Sequence, residues 1–147
     1  VDPQSRNKIL EGIKKLNKEG ATIIYTSHYM EEVEQICSRI AIIDKGKVIA
    51  MGTNEELKDM ISLGEKLTIE VYQLTDEMLK GIQSISNVYQ VKYENNILTI
   101  KSNKGKNNLV HVINYLTEHN IATGKVHTEL PTLNDVFLEI TGKELRD

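Results

Sequence analysis

The run Ala21-Thr-Ile-Ile-Tyr25 limits the architecture most, because it is β-branched and apolar on both faces, the composition of a buried parallel strand. Such a strand draws hydrogen bonds from neighbours on both sides and connects to them through helical crossovers. The flanking residues suit crossovers. Asp2-Pro3 places a preferred cap before the residue best fitted to the first helical position, and Ile9, Leu10, Ile13 and Leu16 recur at helical spacing until Gly20 supplies a stop. Ser27-His28 closes the strand. Glu31 and Glu32 then fall in the first turn of a second helix, where the dipole favours acids, and Val33, Ile36 and Cys37 give that helix an inner face. A strand over Ile40–Ile43, a turn at Asp44-Lys-Gly46 and a strand over Lys47–Met51 follow. Thr53 and Glu56 make a capping box for a helix ending near Gly64. The alternation predicts an α/β sheet. It holds too few parallel neighbours to complete one, so the expectation is a chain that starts in mid-domain.

From residue 65 the pattern changes. Leu67, Ile69 and Val71 alternate as in a strand with one wet face, and Thr75 caps a helix with Met78, Leu79 and Ile82 inside. Strands over Val88–Tyr93 and Ile97–Lys101 flank a hairpin turn at Asn95-Asn96. A polar loop leads to a helix bearing Leu109, Val112, Ile113 and Leu116, and Ile121–Glu129 makes a last strand. The order βαββαβ predicts an α+β ferredoxin-like domain. Pro131-Thr132 opens a closing helix with Leu133, Val136, Phe137 and Ile140 at core spacing. The expected division is residues 1–64 and residues 65–147.

Charge and cysteine content narrow the function classes. A net charge of −3, with acids interleaved among the lysines, disfavours nucleic acid, whose affinity comes from clustered Lys and Arg. RNA binding on the sheet would need exposed aromatics; Tyr89, Val91 and Tyr93 are the candidates, and their alternation suits a half-buried strand equally well. Cys37 is the only cysteine, which excludes an internal disulfide and suits a reducing compartment. No apolar stretch is long enough to cross a bilayer and no secretory signal opens the chain, so any work at a membrane is expected from the aqueous side.

Nucleotide- and metal-binding motifs are missing. A P-loop needs two glycines five apart, then Lys and Ser or Thr. The Gly-Lys pairs at Gly46, Gly105, Gly124 and Gly142 are followed by Val, Asn, Val and Glu. His111 and His119 sit two turns apart with Tyr115 between them, but no acid or thiol completes a ligand set, and no metal is expected. Ser27 beside His28 lacks an orienting acid and is no catalytic pair.

Three segments resemble, in order and spacing, the tail of the ATP-binding subunit of ABC transporters. Val1-Asp2-Pro3 is similar to the loop after the catalytic glutamate. Thr26-Ser-His-Tyr-Met-Glu-Glu32 is similar to the switch-histidine segment, and Arg39 through Thr53 to the closing strand, hairpin and glycine. Pro131 through Gly142 resembles the last helix of bacterial drug- and antibiotic-exporter ATPases of the ABC-2 type, and residues 66–129 fit that group's extra domain by pattern. Ser38 stands where an Asp is common. The resemblance implies that residues 1–64 are the C-terminal part of a P-loop ATPase domain. The P-loop, signature glycines and catalytic glutamate would then lie upstream in a longer protein.

The resemblance makes His28 the switch histidine, whose imidazole would donate to the γ-phosphate and help hold the attacking water. The residues agree, since His28 follows the carboxyl end of a strand, where α/β sheets place ligands, and a neutral imidazole donates one hydrogen bond and accepts another. Asp2 becomes the acid of the loop that reaches across an ATPase dimer, a role that coexists with helix capping. Glu31 and Glu32 read as dipole partners and surface charges. The implied cofactors are ATP and Mg in the intact protein. The implied partners are a transmembrane permease and a second copy of the ATPase subunit, on the inner face of the cell membrane. This chain alone is expected to be inactive. The alternative is a ligand-binding or dimerising regulatory module without catalysis.

Overall fold

The computed structural model describes residues 1–142. Contacts divide the chain into two compact units, one of Val1–Ile61 together with the segment from Leu133 onward, the other of Ser62–Thr132. Both are mixtures of helices and sheets.

In the first unit, α1 (Pro3–Lys18) begins with Asp2 as its cap and Pro3 in its first turn, and it carries Lys15 and Lys18 at its negative end. α2 (Met30–Ile36) follows, with Glu31 and Glu32 in its first turn. β1 (Ile40–Asp44) and β2 (Lys47–Gly52) pair antiparallel about the turn Lys45-Gly46, where both residues have positive φ, with a bulge at Ile42/Ile43. α3 (Asn54–Asp59) is capped by the Thr53 hydroxyl, which accepts the Glu56 N–H. The core draws Leu10, Val33, Ile40, Ile42, Ala50 and Leu57 from these elements, and Ile61 from the segment after α3.

Two local expectations change. Residues 21–29 contain no strand, and Ile24 is 92% exposed. Its apolar side chains promised a sheet, but a parallel strand forms only beside partners, and the first unit's strands pair as a self-contained hairpin. The capping box does start a helix, but α3 ends at Asp59 instead of near Gly64. Gly64 lies inside β3 (Leu63–Val71), at the register shift between Leu63 and Lys66, where a Cβ would stand 2.8 Å from the Asn103 carbonyl oxygen. Its missing side chain serves a close strand approach rather than a helix stop.

The second unit continues with α4 (Asp76–Gln83), β4 (Val88–Glu94), β5 (Ile97–Asn103), α5 (Asn108–Glu118) and β6 (Thr123–Glu129). The sheet runs β4-β5-β3-β6, every neighbouring pair antiparallel. Alternation decides its faces. Leu67, Ile69 and Val71 of β3 and Leu98 and Ile100 of β5 pack with Ile82 of α4 and Val112 and Leu116 of α5 in one fully or almost fully buried cluster. Thr75 caps α4 by accepting the Met78 N–H, and Asn95 and Asn96 both take the positive φ that a two-residue hairpin turn requires.

The closing helix α6 (Leu133–Thr141) belongs to the first unit, whereas the sequence pattern placed it with residues 65–147. Leu133 and Val136 are fully buried, and the Leu133 N–H donates to Glu34 Oε1 at 2.5 Å, so an α2 carboxylate meets the positive end of α6. Lys58 of α3 pairs with the same oxygen at 3.5 Å. Residues 143–147, the end of that expected domain, lie outside the described residues.

Ile69, wholly buried in the sheet's centre, tests the second core. Ile69→Ala is expected to destabilise that unit by about 2–5 kcal/mol in denaturant unfolding; a cost below about 1 kcal/mol would place the core elsewhere.

Candidate functional site

Three segments of the first unit enclose an open cleft of about 330 Å³, lined by Arg6, Tyr25, Ser27, His28, Tyr29 and Glu32 among others. His28 is exposed, and its ring lies 4.7 Å from that of Tyr29. The imidazole therefore stands at the cleft surface, carried by a loop between an extended segment and α2.

That loop is anchored from beneath. Glu32 is 8% exposed. Its Oε1 receives Arg6 Nε at 3.1 Å, and its Oε2 accepts the Tyr25 hydroxyl at 2.5 Å and the Ser27 hydroxyl at 3.4 Å. Ser27 Oγ in turn accepts the Tyr29 N–H at 2.9 Å, and the Arg6 guanidinium sits 5.0 Å from the centre of the Tyr29 ring. The hydrogen bond to Glu32, followed by desolvation, raises the Tyr25 phenol above its ordinary value of 10.0. Sequence reading took Glu32 for a surface charge; the structure corrects this, since the carboxylate is buried and fully engaged. Helical spacing puts Glu32 beside Val33 at the inner edge of α2, but nothing local identifies Arg6 as its partner.

Asp2 lies at the start of α1, adjoining the cleft through Val1 and Arg6. Its Oδ1 accepts the Ser5 N–H at 3.0 Å and its Oδ2 the Ser5 hydroxyl at 2.7 Å. These two bonds, the backbone one foremost, hold its carboxyl below the ordinary 3.8, although it is fully solvated. The structure thus shows Asp2 as a cap, and its backbone carbonyl accepts the Arg6 N–H at 3.0 Å. The two candidate residues are linked only indirectly, Arg6 giving its N–H to the Asp2 carbonyl and its guanidinium to Glu32 beneath the His28 loop.

Other candidates take structural places. Cys37 is half-buried at the end of α2, and desolvation raises its thiol. His119 stacks on Tyr115 at 4.0 Å, and its Nδ1 lies 2.9 Å from that residue's carbonyl oxygen. Among the described residues no group of three His, Cys, Asp or Glu is placed to hold a metal ion, and no helix is long and apolar enough to cross a membrane. Val91 and Tyr93 pack against the second unit's core, and the Tyr93 hydroxyl donates to the Val71 carbonyl at 2.6 Å, so they offer no stacking platform on the open sheet face.

No protein-family model matches the chain. Curated proteins match it end to end. The linearmycin resistance ATP-binding protein LnrL of Bacillus subtilis is 39% identical across all of this chain and 48% of its own length. The Nod factor export ATP-binding protein I of Ralstonia nicotianae is 30% identical across all of the chain and 45% of its own length. The chain belongs with the ABC-2-type exporter ATP-binding proteins. The daunorubicin resistance ATP-binding protein DrrA3 of Streptomyces coeruleorubidus agrees, at 30% identity over 99% of the chain and 46% of its own length. The chain therefore spans about half the length of these relatives.

Asp2 gives a pH test of the cap. Because its carboxyl is lowered in the folded state, its contribution to α1 is present above the ordinary carboxylate value and is lost as pH falls through the lowered one. Asp2→Ala is expected to speed exchange of the Ser5 and Arg6 amides at neutral pH, relative to wild type, and the difference should vanish in strong acid. A difference that persists unchanged at low pH would assign the effect to something other than the carboxylate.

Proposed function

We propose that the chain is the C-terminal part of the ATP-binding subunit of an ABC-2-type exporter, coupling ATP hydrolysis to export through a transmembrane permease. The match along the whole of this chain to about half of each exporter ATP-binding protein carries the reading. In it, the intact subunit works as a homodimer at the cytoplasmic face of the membrane, and residues 1–64 with α6 form the end of its ATPase domain. ATP with Mg supplies the γ-phosphoryl group when bound. His28, exposed at the cleft, donates one hydrogen bond toward that phosphate and with its other nitrogen accepts from the attacking water or its neighbours. Phosphoryl transfer depends largely on such positioning and charge stabilisation. Arg6, on α1, is engaged with Glu32, and the donor proposed on the loop is the exposed His28 imidazole. Asp2 presents the turn at the head of α1 to the second subunit while capping the helix. This chain alone supplies no phosphate cradle and hydrolyses nothing.

The separate core of the second unit favours an accessory role for it within the same protein. The strand order β4-β5-β3-β6 with the sequence βαββαβ supports a ferredoxin-like reading, and a ligand-binding or dimerising regulatory module is the alternative function of this unit.

In the complete subunit, His28→Ala is expected to lower kcat for ATP hydrolysis roughly a hundredfold while nucleotide still binds. Undiminished turnover in that variant would remove the histidine from the mechanism.

A further inference from the structure

We propose that Glu32, clamped by Arg6, is the positioning residue that sets the His28 loop for hydrolysis. The inference rests on the reading of His28 given above. Both chain neighbours of the histidine hang from this one carboxylate: Ser27 donates to it directly, and Tyr29 is held through its N–H bond to Ser27 Oγ and the Arg6 guanidinium beside its ring. Tyr25, at the start of the same loop, donates to it as well. The imidazole can reach outward because the backbone on either side of it is tied down.

The chemistry requires a carboxylate. Its two oxygens accept from three donors at once, and its charge matches a guanidinium. Glutamine would retain one acceptor oxygen and oppose an NH₂ group to Arg6 or to the hydroxyls. On its far side the clamp is continuous with the head of α1, since Arg6 also gives its N–H to the Asp2 carbonyl. A shift of the Asp2 turn is thereby passed through Arg6 and Glu32 to the loop holding His28. Small misplacements of a reacting constellation cost large factors in rate, so a residue with no contact to nucleotide can govern kcat.

The test measures kcat and KM for ATP in the complete ATP-binding subunit for Glu32→Gln, Ser27→Ala, His28→Ala and the Glu32→Gln/His28→Ala double variant. Glu32→Gln should lower kcat by roughly tenfold to a hundredfold and leave KM within about twofold. Ser27→Ala, which cuts only the loop's own tie and leaves the Arg6 pair intact, should reproduce the kcat loss at smaller size, and it serves if Glu32→Gln does not fold. In the double variant the loss should be no greater than in His28→Ala alone, because the carboxylate acts through the ring. Full kcat in both single tie variants overturns the proposal, as do losses that multiply in the double variant. Full turnover by His28→Ala would instead defeat the histidine reading beneath it.

Discussion

A carboxylate withdrawn from water must find partners, and Glu32 finds three. Leaving such a group unpaired costs several kcal/mol, so the arrangement of Arg6, Tyr25 and Ser27 is dictated by that one oxygen pair. Without them the stretch from residue 21 to residue 29 would have little to hold it, since it joins no sheet and exposes Ile24. α1, α2 and the loop that carries His28 meet at this charge in the wall of the cleft.

A second carboxylate performs a similar service nearby. Glu34, two residues along α2, faces the head of α6 and Lys58. α2 has only seven residues, and yet its acids face three other helices, α1, α3 and α6. The helix dipole explains why Glu31 and Glu32 sit in its first turn; the fold adds specific counterparts for Glu32 there and for Glu34 farther along.

What could be read from the sequence was local. The caps at Asp2, Thr53 and Thr75, the Asn95-Asn96 turn and the alternation of Leu67, Ile69 and Val71 express themselves within a few residues, and each recurs in the structure. The misreadings involve distance. Glu32 gave no sign of Arg6, and Glu34 meets Leu133 across 99 positions. The apolar strand pattern of residues 21–25 was genuine chemistry, but strand formation depends on partners, which a pattern cannot supply. Gly64 was misassigned because a glycine before a change of pattern suits a helix stop as well as a tight strand crossing. The candidate site was legible only in part. His28 was singled out by the motif around it, while the scaffold that holds it was not.

The docking of α6 beside Glu34 means that the first unit is assembled from two stretches of chain with the whole of the second unit encoded between them. During vectorial synthesis the ribosome delivers α2 first and must release the entire four-stranded sheet before the helix that carries Leu133 and Val136 emerges. The second unit can bury its own apolar residues in that interval. The first must wait until α6 arrives with Leu133 and Val136 to complete its buried set.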